Sequence, residues 1–324
     1  MYKRNVIWTL LVSLSLAVAA KADGPFHVMG TVPLNWQGGA ITAQLDEGAH
    51  RLFMVQTNQV HVLELNPSRA QSVITNANGF RSFVIAPQMR MGFFVSGTEA
   101  IVQAVDLMTG RPKRGIKTEK IVDQIYLSPR NGMLYAFHRD ENAVSLFESD
   151  DGDFMGKIEL PGKPGCVAGD PASGQVYVYL EGINKIGVID PRKQKLTAQF
   201  EIPAKEGVTA LAVDSTSRKI FAGFHDGTVM MLGTNGISTG AITLKGAVDM
   251  MSFDPVSRFL YVTSDGTLNV INQYTATELR LAQALTVAAG PQAMTVDAKN
   301  QRLFLVPLRT DAVNLINVVT MVGR

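Results

Sequence analysis

Residues 254–272 read Asp254-Pro255-Val256-Ser257-Arg258-Phe259-Leu260-Tyr261-Val262-Thr263-Ser264-Asp265-Gly266-Thr267-Leu268-Asn269-Val270-Ile271-Asn272, and this stretch decides the fold. Asp254 accepts hydrogen bonds from the backbone ahead of it, and Pro255 presets φ for a turn. An apolar, aromatic-bearing strand follows, then an Asp-Gly corner and a second β-rich run, so the segment is a hairpin. The same arrangement recurs along the chain. Its aromatics are Phe53, Phe93, Tyr135, Tyr177, Phe221, Tyr261 and Phe304, with spacings of 40, 42, 42, 44, 40 and 43 residues.

A second mark moves in step with the first. Seven residues before each aromatic stands Asp46, Ala86, Ser128, Asp170, Asp214, Asp254 or Asp297. The stretches after them are turn chemistry, as in Asp170-Pro171-Ala172-Ser173-Gly174 and Ser128-Pro129-Arg130-Asn131-Gly132, where Gly or Asn permits a left-handed corner. Third strands are predicted at 60–65, 143–147, 185–189, 228–232 and 267–271, and fourth strands at 155–160, 196–202 and 241–244. Residues 276–284 read as a turn and a fourth strand. Four short strands per unit of about 40 residues is the pattern of a propeller blade. The fold class is therefore all-β: a seven-bladed β-propeller with four antiparallel strands per blade.

The two ends fix how the ring closes. The last repeat has a third strand at 312–318 and then stops, so it lacks an outer strand. Residues 26–34 form a strand with no repeat of their own, and Leu34 precedes the turn residue Asp46 by 12, as Ile202 precedes Asp214. Residues 28–34 are predicted to pair beside 312–318 and complete the last blade, which removes an open sheet edge.

Residues 1–22 have the form of a secretory signal. Lys3 and Arg4 precede an apolar run, and Ala20-Lys21-Ala22 fits the small-x-small cleavage rule. The reading is a mature domain of residues 23–324, in the periplasm or outside the cell, with no membrane insertion after cleavage and monomeric. A retained anchor is the alternative, although the run is short for a bilayer span. Thirty Lys and Arg against twenty-eight Asp and Glu leave a net charge of +2. That balance supplies no general field for nucleic acid. Cys166 is the one cysteine, so no intrachain disulfide forms, and no flanking cation activates it as a nucleophile.

Tyr261-Val262-Thr263-Ser264-Asp265-Gly266 through Ile271-Asn272, with Val176-Tyr177-Val178-Tyr179 through Val188-Ile189-Asp190-Pro191, resembles the YVTN repeat of bacterial propellers, in the quinoprotein amine dehydrogenase-like superfamily. The resemblance covers the whole mature chain and implies a propeller. It leaves function open, because propellers like this include binding proteins, lactonases and subunits of periplasmic redox complexes.

Propellers bind where loops meet the central channel. The turns between second and third strands supply His138, Arg139, Asp140, Glu181, His225, Asp226, Asp265, Arg309 and Asp311, and the connections into first strands supply Trp36 and Arg81. These are the candidate ligand-binding residues of a rim. Asp-Gly and Asn-rich turns serve any hairpin, so turn chemistry is the competing account of each. His138 and His225 each lie within two residues of an Asp; exposed turn histidines are expected, two blades apart, rather than metal ligands. Trp36 either packs at the first junction or stacks a ligand ring. Residues 148–153 (Glu148 to Asp153) resemble a calcium-loop fragment without its terminal Glu, and read as a solvated turn.

No HExxH, CxxCH, phosphate loop or complete EF-hand loop occurs. The expectation is a non-enzymatic binding or scaffold protein of the envelope that recognises a protein or polymer, with no cofactor and no metal. A lactonase-type hydrolase is the alternative, requiring His138, His225 and Arg309 to converge. A subunit of a redox complex is the third reading.

Overall fold

The computed structural model describes residues 25–34, 40–56, 59–66, 70–76, 79–203, 207–287, 291–307 and 315–321. The leader and the rim candidates Trp36, Arg309 and Asp311 lie outside these residues. The described residues form seven four-stranded antiparallel sheets. Six of them run through four consecutive strands in chain order; repeat four, for instance, is Lys163–Gly169, Val176–Glu181, Lys185–Asp190 and Lys195–Glu201. First strands pack against one another in chain order, and that of repeat seven (Pro291–Asp297) packs against that of repeat one (Thr42–Asp46). The fold is an all-β propeller.

The seventh sheet joins the chain ends. Phe26–Pro33 pairs antiparallel with Leu315–Met321, from Phe26 opposite Met321 to Pro33 opposite Leu315, with a bulge between Val28 and Gly30. The strand begins two residues before the predicted seam and holds the outermost position. Repeat six departs from the expected lengths: its outer hairpin, Thr267–Thr275 and Glu278–Thr286, has nine residues in each strand.

Each repeated aromatic sits between neighbouring units. Tyr177 and Tyr179 pack with Leu211, Ile220 and Ala222 of repeat five. Phe221 packs with Val248, Leu260 and Val262 of repeat six. Phe304 of the last repeat packs with Ala43, Leu52 and Met54 of the first. Strand alternation sends successive residues to opposite faces of a sheet. Each sheet therefore contributes apolar side chains to both of its neighbours. Burial of one such aromatic stabilises the fold by about 1.5–3 kcal/mol, and the contribution recurs around the ring.

The turn aspartates have two tasks. Asp46, Asp170, Asp214, Asp254 and Asp297 each accept a backbone N–H two or three residues ahead, at 2.8–3.0 Å. Two also hold the next unit: Ser215 donates to Asp170 at 2.5 Å, and Arg258 donates to Asp214 at 2.8 Å. The corner that follows is left-handed in all seven repeats, four residues after the turn position. Only Gly132 and Gly174 fill it with glycine; His50, Arg90, Arg218, Arg258 and Gln301 fill the others at φ 52–63°. Among the described residues, no helix is long and apolar enough to cross a membrane.

Candidate functional site

One position recurs near the start of the first strand in each repeat, and in repeats two to five it lines the ring's mouth. It lies five residues before the turn position, and is Ile41, Arg81, Asp123, Gly165, Thr209, Asp249 or Gln292. The first strand leaves its regular ladder there. Register slips between Phe80 and Ser82, Pro164 and Val167, Val208 and Ala210, Val248 and Met250, and Pro291 and Ala293. In repeats one and three the residue at this position bonds to the carbonyl of the residue already paired with its successor (Ile41 to Val55, Asp123 to Phe137). Such bulges bend a strand and re-aim a side chain.

Repeats two to four use this position to build a line of alternating charge. Arg81 Nη1 lies 2.7 Å from Asp123 Oδ1, and Asp123 Oδ2 accepts the Arg139 backbone N–H at 2.9 Å. The Arg139 guanidinium then grips Glu181 with two hydrogen bonds, at 2.7 and 2.6 Å, and also donates to the Pro164 carbonyl at 3.0 Å. The bond to Glu181 is the main cause of a raised Arg139 pKa. Gly165 makes the close approach possible, because a Cβ there would lie 2.9 Å from Tyr179 and 3.0 Å from Glu181 Oε1.

Two recesses flank Asp123. One, of about 290 Å³, is lined by Asp123, Gln124, Arg139, Cys166, Glu181 and Thr209, among others. The other, of about 380 Å³, is lined by Arg81, Lys120, Ile121, Asp123, Asp140 and Glu141, with His138 behind them. Glu141 is held by Lys157 at 3.0 Å, and that hydrogen bond, first among several causes, keeps its carboxyl below the usual range.

The predicted rim residues separate into groups. Arg81, Arg139, Asp140 and Glu181 meet at these recesses. His138 corrects the expectation of an exposed turn histidine: it is 2% exposed, because the second strand Met133–His138 runs through it and places it on the face of Leu134 and Ala136. Its Nδ1 lies 3.0 Å from the Ile121 carbonyl, and its Nε2 lies 2.9 Å from Ser145 Oγ. A carbonyl only accepts, so Nδ1 carries the proton, and both ring nitrogens serve the sheet. His225 and Asp226 stand exposed on repeat five and line neither recess. Asp226 accepts the Thr228 N–H at 2.8 Å, a turn bond that lowers its pKa. Asp265 occupies a left-handed corner at φ 45° and pairs with Lys245 at 3.0 Å.

Asp123 is the residue that sequence reading undervalued. Counting five back from each turn residue would have found it, with Gly165 and Asp249. Cys166 lines the smaller recess, and burial pushes its thiol up to about 12, as expected for an unreactive thiol. The acidic turn brings carboxylate oxygens of Glu148, Asp150 and Asp151 within 4.8 Å of one another. The carbonyls of Ser149 and Asp150 beside them already accept from the Arg114 guanidinium, so a cation holds the backbone oxygens of this turn.

No family model matches the chain, and no curated protein matches it. Among solved structures it is similar to Kuenenia stuttgartiensis hydrazine synthase, with a TM-score of 0.75 and 13% sequence identity over 90% of this chain and 99% of that one. At that identity the likeness bears on architecture, and with the closed cycle of sheets it identifies the chain as an all-β propeller.

Proposed function

We propose that this protein is an exported binding or scaffold propeller of the cell envelope, which recognises a protein or polymer through the mouth formed by repeats two to four. The same reading takes the ring as seven-bladed and related to the YVTN propellers; the seven described sheets and the recurring turn and aromatic support it.

One observation carries the binding role. The line from Arg81 through Asp123 and Arg139 to Glu181 crosses three repeats and divides two open recesses. Its guanidinium groups are half-exposed, so a partner can replace one ion pair by another without stranding a buried charge. The hydrolase alternative needs a histidine at the mouth with a nitrogen to spare. His138 has committed both of its own to Ile121 and Ser145.

The test uses the purified chain from residue 23, immobilised and challenged with periplasmic extract. An Arg81→Gln/Arg139→Gln variant serves as the comparison. A specific protein or polymer retained by the parent and lost by the variant supports the reading. Equal retention by both, or turnover of a lactone by the purified parent, overturns it. Fractionation of cells expressing the whole chain tests export: a product confined to the cytoplasm removes the envelope assignment.

A further inference from the structure

Among the described residues one turn of the repeat takes a 3-10 helical form, and a cavity lies beside it. Ala86 stands where five repeats carry Asp, and the chain turns instead through a short 3-10 helix, Pro87–Met89, into Arg90 at φ 54°. Between this turn and repeat one is a groove of about 660 Å³, on the opposite face of the ring from the two recesses. A local departure from an otherwise consistent repeat is where function is expected.

The groove has an apolar floor and a charged lip. Phe53 and Leu107 are buried at its base, with Leu45, Pro87 and Met108 along its sides. Phe53 is braced by Phe83 at 6.2 Å, which stacks on Phe94 at 4.4 Å. Glu47 projects from the wall of repeat one and Arg90 from that of repeat two; both are exposed. Neither side chain makes a hydrogen bond or ion pair among the described residues. Arg51 and Asp46 are otherwise occupied: Arg51 is bonded to Glu64 and to the Met108 sulfur, and Asp46 to the Ala49 N–H.

The geometry points to a ligand that carries both signs on an apolar body: a short apolar peptide with free ends, its ammonium at Glu47, its carboxylate at Arg90 and its side chains on the floor. The volume is in the range of small-ligand sites, roughly 300–1,000 Å³. A ligand of one sign satisfies one wall and desolvates the opposite charge on the other, which is unfavourable. The zwitterion matches both. This site is independent of the mouth.

The dipeptide Phe-Leu, titrated into the full mature chain by calorimetry, tests it. Free Phe-Leu is expected to bind. N-acetylation or C-amidation of the peptide, Arg90→Asn and Glu47→Gln should each weaken binding about tenfold or more. Asn is chosen at position 90 because it tolerates the left-handed conformation. Acetylated peptide should lose little further in Glu47→Gln, since the same contact is already gone. Circular dichroism melts check that both variants remain folded. Absence of heat from Phe-Leu at millimolar concentration overturns the inference. So does an affinity unmoved by both variants. Loss of binding in Arg139→Gln, with both groove variants unaffected, would place the peptide at the mouth and overturn the groove assignment alone.

Discussion

The side-chain amide of Gln283 brackets the backbone of Phe26: Oε1 accepts the Phe26 N–H and Nε2 donates to the Phe26 carbonyl, each at 2.9 Å. Gln283 belongs to the outer strand of repeat six, and Phe26 begins the strand that completes repeat seven. The Phe26 ring is 1% exposed and meets Phe259 and Tyr261 edge-on, at 5.0 and 6.2 Å. The closing strand is thus fastened to two units. Gln283→Ala leaves two buried backbone groups without partners and should cost about 2–4 kcal/mol. Removal of residues 23–34 should be far more damaging, because it also opens an edge. Denaturant unfolding of the three chains checks the order; equal midpoints would show that the seam does not hold the ring.

The Asp214–Arg258 contact is a second fastening, between repeats five and six. Asp214 is 0% exposed, and Arg258 lies 2.8 Å from it while also bonding Gln273 at 2.9 Å. Arg258→Ala removes the cation beside a buried carboxylate that keeps its hydrogen bonds from Thr216 and Ser217, and should destabilise by about 1–3 kcal/mol. Asp214→Asn keeps the turn but weakens the link, and should cost less. Chemical denaturation of both variants ranks them.

At the mouth the expected balance is reversed. Arg139 and Glu181 are 39% and 36% exposed at the side chain, and pairs of this kind contribute about 0–1 kcal/mol. Arg139→Gln and Glu181→Gln should therefore melt close to the parent while losing partner capture. Loss of stability matching loss of capture would assign the pair to architecture.

Much of the ring was legible because its two marks are local. A turn Asp must accept from the backbone just ahead of it, and an aromatic seven residues later must be buried. The left-handed corner was only half legible: Gly132 and Gly174 announce it, but Arg258 does not. An arginine in that conformation is unfavourable locally, and here it is offset by its reach to Asp214 in the neighbouring unit, a contact no local rule contains. His138 was misjudged by strand length. The alternation Leu134, Ala136, His138 places it inside, provided the strand continues one residue into what reads as a turn. The mouth was hidden because bulges reset the alternation of the first strands, so Asp123 and Gly165 follow no two-residue period.

Cys166 gives a prediction about reactivity. Burial pushes its thiol up to about 12, and it donates weakly to the Val208 carbonyl at 3.8 Å. At pH 8 the native chain should react with a disulfide reagent far more slowly than the chain in denaturant. Rapid stoichiometric labelling of the folded protein would mean that the thiol ionises readily in the recess it lines.

Acid sensitivity should come in two stages. Burial pushes the His61 ring down from 6.5 to about 4, and its Nε2–H donates to Gln56 at 3.0 Å. Between those values the unfolded chain binds a proton that the folded one does not, so stability must fall as pH falls through that window. Asp170 and Asp297 act below it. Burial alone would raise both carboxyls, but hydrogen bonds outweigh it, from Ser173 and Ser215 on the first and from Asn300 and Arg302 on the second. Their folded pKa values lie below the ordinary 3.8. The stabilisation they supply is complete above that value and disappears as pH drops through the folded ones. A pH series of denaturant midpoints should show a decline from about pH 6.5 to 4, and a steeper one below it. His61→Gln, which keeps a polar partner for Gln56, should flatten the upper stage and leave the lower one. An unchanged upper stage in that variant would assign it to another group.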